Sequence, residues 1–146
     1  MQLDRIPPIL TQESIPRVGK RELTVISTLR LLQFDIDGKV LIVVPRGDCS
    51  SLEAAVLEEE LREILEQISS RGVTGLVVDL EQAPYFGSTM LGGLIKLWRA
   101  LTVVQGRLVL CNVSPGEHDV LSATRLDSVW GIYPTRAAAI EALGSP

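Results

Sequence analysis

From Leu31 onward the chain alternates short apolar runs with longer amphipathic stretches. Leu31-Leu32-Gln33-Phe34-Asp35-Ile36 and Val40-Leu41-Ile42-Val43-Val44 read as strands, and the Asp37-Gly38 dipeptide between them favours a tight hairpin turn. Ser50-Ser51-Leu52-Glu53 has capping-box spacing, so a helix starts there. Leu57, Leu61, Ile64, Leu65 and Ile68 recur at three- and four-residue intervals, while Glu58, Glu59, Glu60, Arg62, Glu63 and Glu66 are expected on a solvated face. Gly72 ends that helix, and Thr74 to Leu80 reads as a strand buried on both sides. A second stripe, Leu91, Leu94, Ile95, Trp98 and Leu101, predicts another helix that stops at Gly106, with Trp98 in the core. Leu108 to Val113 supplies a further strand, Ser114 to Ser122 a turn and short helix, and Val129 to Tyr133 a last apolar run. Thr135 is the expected N-cap of a closing helix through Leu143. The alternation predicts an α/β domain in which a mixed sheet of about four to five strands opens with an antiparallel hairpin and is flanked by about four helices. The later strands are parallel and joined by right-handed crossovers.

The first thirty residues break this pattern. Ile6-Pro7-Pro8-Ile9 and Ile15-Pro16 cannot sustain a helix or a central strand, so residues 1–22 read as an extended arm. Residues 1–30 are assigned to an N-terminal extension and 31–146 to one domain, long enough to bury a core. The net charge of −4, without long single-sign blocks, argues against an electrostatic nucleic-acid binder or a basic membrane-surface face. Apolar runs such as residues 40–44 are far shorter than a bilayer span, and the start lacks an apolar secretory core, so a cytoplasmic location is expected. Cys49 and Cys111 lack the close Cys or His companions of a zinc site and read as small buried hydrophobes.

The chemistry concentrates between Val77 and Ile95, where an apolar strand runs through a short loop into Ser88-Thr89 at a helix start. The first-turn N–H groups of a helix lack intrahelical acceptors and the macrodipole adds partial positive charge, so this position suits a capping hydroxyl or a phosphate. Capping is the commoner use of such hydroxyls. Gly92 and Gly93 each cost about 1 kcal/mol relative to alanine within a helix, which implies close approach of the domain's own sheet or of a partner.

No catalytic constellation accompanies this segment. His118 is the sole histidine and reads as a surface or satisfied loop residue, so a nucleophile–histidine pair has little to draw on. Gly92-Gly93 and Arg46-Gly47-Asp48 match neither a P-loop nor a dinucleotide fingerprint, and the latter is a chance match to an adhesion tripeptide. The expectation is a non-enzymatic protein without metal or cofactor.

In order and spacing the pieces resemble a STAS domain, the fold of bacterial anti-sigma factor antagonists. Asp37 to Val43 resembles the opening hairpin, and Pro45-Arg46-Gly47-Asp48 with the Leu-rich helix after it resembles the family's Gly-x-x-Asp segment. Val77-Val78-Asp79-Leu80 through Leu91-Gly92 resembles the Asp-Leu strand and Asp-Ser-Ser/Thr-Gly-Leu-Gly helix start. Leu110 to Pro115 and Ala138 to Leu143 resemble the closing strand, Asn-Val-Ser-Pro turn and Ala-rich helix, so the likeness spans about residues 31–143. Gly87 stands where the family has Asp, Met90 where it has Gly, and Pro45 in the place of the family's glycine near Gly47.

The resemblance implies a binding module whose partner is an anti-sigma factor that is also a serine-protein kinase. Thr89 falls at the phosphoacceptor, Ser88 at the preceding serine, and Asp48 at the acidic residue facing the partner's nucleotide region. Gly47, Gly87, Met90, Leu91 and Gly92 complete the implied partner-binding face, with Met90 as an exposed apolar contact. Two alternatives use the same face: a non-phosphorylated adaptor of a transporter ATPase or signalling scaffold, and an anion or nucleotide sensor at the 88–92 helix start. A homodimer is left open.

Overall fold

The structure, a computed structural model, describes residues 26–28, 31–47 and 54–144. The expected arm over 1–22, Cys49 and the Ser50–Glu53 capping box lie outside the described residues. Within them the strands are β1 (Ile26–Thr28), β2 (Leu32–Asp37), β3 (Val40–Pro45), β4 (Gly75–Asp79), β5 (Arg107–Cys111) and β6 (Gly131–Tyr133). The helices are α1 (Ala54–Ser70), α2 (Ser88–Val103), α3 (Pro115–Ala123) and α4 (Arg136–Gly144), with a 3₁₀ turn over Leu126–Ser128.

The strands lie side by side in chain order. β1 and β2 pair antiparallel, as do β2 and β3, whereas β3–β4, β4–β5 and β5–β6 are parallel. The mixed sheet, its opening hairpin and its four helices are those the sequence predicts. β1 adds a strand drawn from the stretch assigned to the N-terminal extension, and the hairpin closes through Gly38-Lys39, with Asp37 opposite Val40.

Period-two alternation along the central strands divides the core between the two faces of the sheet. Leu41 and Val43, Leu76 and Val78, and Leu108 and Leu110 face the cluster built with α1 and α2. Ile42 and Val44, Val77, and Val109 and Cys111 face a smaller cluster covered by α4 through Ala139, Ile140 and Leu143. Sequestration on both faces explains why β4 reads as a continuous apolar run.

Gly72 ends α1 as expected, at φ +65°, and the Val73 N–H donates to the Ile68 carbonyl at 3.3 Å. This is the six-to-one bond of a left-handed C-terminal cap, and both apolar residues it joins are buried. Thr135 caps α4 as expected, its hydroxyl accepting from the Ala138 N–H at 3.1 Å.

Two expectations need correction. In α2 the buried stripe is Met90, Gly93, Leu94, Leu97 and Leu101, whereas Leu91, Ile95 and Trp98 are half-buried and pack against the cluster's margin. The apolar arc is wide because α2 touches both the sheet and α1, so the inner phase starts one residue earlier than predicted. Trp98 meets the buried Trp130 edge to face, with ring centroids 6.1 Å apart. In the acidic run of α1, Glu60 is not solvated. It is buried, and its carboxylate accepts the Leu31 N–H at 2.9 Å and the Leu32 N–H at 2.9 Å. Both amides precede or open the edge of the hairpin, so the carboxylate fastens α1 to the start of β2.

Glu60→Ala leaves those amides without their acceptor and is expected to destabilise the domain by about 2–3 kcal/mol, with Glu60→Gln losing less because one carbonyl oxygen remains. Urea unfolding of the three proteins checks the order.

Candidate functional site

The loop from Leu80 to Gly87 carries β4 into α2 and is fastened at nearly every residue. The Leu80 N–H donates to the Cys111 carbonyl at 3.0 Å, and the Ala83 N–H to the Leu80 carbonyl at 3.1 Å. Gly47 reaches across from the end of β3, its N–H donating to the Gln82 carbonyl at 3.0 Å. The Ser114 hydroxyl donates to the Pro84 carbonyl at 2.7 Å. Ala83 and Phe86 are buried, which leaves Tyr85, 64% exposed, projecting from a pinned loop.

Asp79 anchors the base of this loop from the last position of β4. Its carboxylate is buried and accepts from Asn112 Nδ2 at 2.9 Å, the Glu81 N–H at 3.1 Å and Arg136 Nε at 2.8 Å. Asn112 adopts φ +55° to offer its amide, a conformation that asparagine tolerates better than most residues. Burial alone would raise the Asp79 pKa, but the bonds from Asn112, Glu81 and Arg136 together outweigh it and hold the group below its ordinary value. The neighbouring Cys111 thiol is pushed up to about 12, first by burial and then by the Asp79 carboxylate. A thiol in that state stays protonated, so Cys111 is the small buried hydrophobe the sequence suggests.

α2 begins on Gly87, whose extended conformation (φ −106°, ψ −167°) makes it the N-cap without any side-chain bond. Neither Ser88 nor Thr89 caps the helix, against the commoner use of such hydroxyls. They occupy its first two positions, Ser88 exposed and Thr89 half-buried, and the first turn holds no acidic residue. Its partial positive charge is therefore uncompensated by any carboxylate in that turn.

Both residues line a groove of about 290 Å³ between α1 and α2. Gly93 allows the helices to approach, since a Cβ there would lie 3.0 Å from Leu61 Cδ1 and 3.1 Å from Leu57 Cδ2. The approach expected of the glycine pair is thus made by α1, not the sheet, while Gly92 faces open space along the groove. Farther along, Lys96 Nζ and the Glu58 carboxylate pair at 2.6 Å, both exposed. Lys96, through its hydrogen bond and its charge, holds Glu58 below its ordinary pKa.

The structure thus gathers Ser88, Thr89, Gly87 and Gly92 at one helix start, with Gly47 tied to the loop before it and Leu91 half-buried beside them. Met90 departs from expectation: it is 1% exposed, packed in the core, and offers a partner nothing. Asp48 lies outside the described residues. Sequence reasoning missed Ser114 and Glu117, although Ser114-Pro115-Gly116-Glu117 carries a capping-box signature with proline at the first helical position. His118 is exposed on α3. Among the described residues no three of His, Cys, Asp and Glu cluster so as to hold a metal ion. No helix among them is long and apolar enough to cross a membrane.

The STAS domain family model matches residues 32–139, well over half of the chain. The chain belongs to the STAS domain family. A Bordetella bronchiseptica relative, BtrV, assigned as an anti-sigma factor antagonist, is 31% identical over 114 residues, spanning 78% of this chain and 94% of BtrV. Among solved structures, a STAS domain protein from Planctomyces limnophilus superposes with a TM-score of 0.64 at 24% identity, covering 78% of this chain and 98% of its own. The anti-sigma factor antagonist SpoIIAA in its unphosphorylated form gives 0.63 at 21% identity, covering 79% and 99%. These two likenesses carry the fold, which is the STAS sheet with its hairpin and flanking helices.

Two measurements test the electrostatics of this STAS domain. Asp79→Asn loses the charge that Arg136 and Asn112 address and is expected to cost about 2–4 kcal/mol. Because the folded pKa of Asp79 is depressed, its contribution is complete above the ordinary carboxylate value and disappears as pH falls through the lower folded value. Wild type is therefore expected to converge on Asp79→Asn in acid, as acid titrations of the two melting temperatures would show. Cys111 is expected to resist iodoacetamide at pH 8 in a Cys49→Ser protein until denaturant is added, as followed by mass spectrometry.

Proposed function

We propose that this chain is a regulatory binding module resembling an anti-sigma factor antagonist, and that it binds an anti-sigma factor that is also a serine-protein kinase. The face used is the start of α2 with the Leu80–Gly87 loop and Gly47 beside it. Thr89 is the acceptor hydroxyl, Ser88 its neighbour, and phosphorylation releases the partner. The module works in the cytoplasm, without catalysis of its own.

One observation carries this reading: two hydroxyl residues in the first turn of α2, Ser88 and Thr89, serve no capping role and line a groove at the end of a pinned loop. Supporting it are the resemblance at these positions and the identity to BtrV. SpoIIAA, similar in fold, has been solved in a phosphorylated form as well. A phosphate at Thr89 adds about −1.5 to −2 charges beside a helix start with no acidic residue in its first turn, so the domain itself tolerates the group. The same charge is unfavourable in an interface complementary to a neutral hydroxyl, so the switch works through affinity and leaves the fold unchanged.

Intact-mass analysis of the protein recovered from its native cells, with peptide mapping across Ala83–Trp98, is expected to show one added phosphate that Thr89→Ala abolishes. Unmodified hydroxyls in every growth and stress condition would instead favour a constitutive adaptor on a transporter ATPase or signalling scaffold. Direct binding of an anion or nucleotide without a protein partner would point to a sensor.

A further inference from the structure

The Ser114 hydroxyl belongs to two structures at once. As the N-cap of α3 it accepts from the Glu117 N–H at 3.2 Å, while Glu117 Oε1 accepts from the Ser114 N–H at 3.1 Å, completing a capping box. The same oxygen donates its proton to the Pro84 carbonyl at 2.7 Å, thirty residues away in the loop that enters α2. A cap needs only an acceptor, so the proton is free for a second task. It is spent on the carbonyl four residues before Ser88.

We propose that Ser114 is a positioning residue for the acceptor turn, its donated proton fixing Pro84 and through it the placement of Gly87, Ser88 and Thr89. This rests on the phosphoacceptor reading above only for its consequence, not for its geometry. Asp79 secures the base of the loop and Gly47 its middle, and among the described residues Ser114 supplies the side-chain bond closest in sequence to the helix start. Phe86, buried, holds the chain from the core side, so the Ser114 bond and Phe86 together confine the segment between Pro84 and Gly87. An acceptor hydroxyl held in one place reaches a transferable phosphoryl group without a search, and displacement of about 1 Å in such geometry costs up to a hundredfold in rate. Glu117 keeps the cap in register: its carboxylate is buried, Oε2 has no partner, and burial pushes its pKa up even though Ser114 bonds oppose that shift.

Substitutions separate the two uses of the hydroxyl. Ser114→Thr retains both. Ser114→Ala removes both, and Ser114→Asp retains a good cap while losing the proton. The aspartate is made in a Glu117→Gln background, compared with Glu117→Gln alone, so that no second carboxylate sits in the box. Amide exchange of Ala83 and Leu91, whose N–H groups bond within the loop and to the Gly87 carbonyl, is read by NMR in each protein. Exchange is expected to quicken about tenfold in Ser114→Ala and in the aspartate protein and to stay within twofold in Ser114→Thr and Glu117→Gln. Phosphate occupancy in native cells is expected to fall severalfold in the first pair and to hold in the second. Wild-type exchange in the aspartate protein would show that Ser114 is only a cap and overturn the proposal, as would normal occupancy despite quickened exchange. If no phosphate appears even on wild type while the exchange pattern holds, the acceptor reading fails and the placement of the turn by Ser114 stands.

Discussion

The Asp79 carboxylate is the constraint on which the rest of this domain's working end depends. It sits at the last position of the central strand β4 and is bonded to Arg136 at the start of α4, Asn112 after β5 and the Glu81 amide in its own following loop. Three connections that the chain makes at distant points are thus drawn onto one group, and the group is buried. A carboxylate in that position is costly unless it is fully addressed, and here the bonds more than offset the burial, which is why its pKa lies below the ordinary value. The arrangement suits a site that must present a helix start in one orientation: the apolar core positions the strands, but only directional bonds position the loop that leaves them.

Packing and polar bonds divide the task along the chain. α1 and α2 are brought together by Gly93 against Leu57 and Leu61, a contact that any larger side chain would have to displace. α1 is itself fastened to the hairpin by Glu60, so the groove beside Ser88 and Thr89 has one wall tied to β2 and the other to β4. The Lys96–Glu58 pair spans the same two helices at their exposed surface, where solvent screens it, and adds less than the burial beneath.

Most of the fold was legible because its signals are local. The hairpin, the amphipathic stripe of α1, the fully apolar β4, the cap at Thr135 and the stop at Gly72 all depend on residues within a few positions of one another. Glu60 was misread because a glutamate among glutamates resembles a solvated face until the amides of Leu31 and Leu32, nearly thirty positions earlier, are seen beneath it. The Asp79 cluster joins residues up to 57 positions apart, a juxtaposition that periodicity cannot report. Met90 was misplaced for a subtler reason: α2 carries apolar residues on two adjacent stripes, and only contact with α1 decides which is inner. Ser114 and Glu117 were different, since their spacing was visible and only the second use of the hydroxyl was not.

The departures from the family pattern at Gly87 and Met90 have separate physical consequences. Met90 is a core residue, so its size is absorbed by the packing beneath α2 and does not obstruct the outer face of the first turn. Gly87 removes a side chain from the N-cap, leaving the helix start to a bare backbone whose conformation the loop imposes. A carboxylate at that position would bring its own hydrogen bonds to the first-turn amides and hold them locally. With glycine there, no side chain of the cap orients the turn, and the burden passes to Phe86 and to the bonds at Pro84 and Asp79. Rigidity that a cap would have supplied from within α2 is supplied here from α3 and α4, so the placement of Ser88 and Thr89 is a property of the whole C-terminal edge of the sheet.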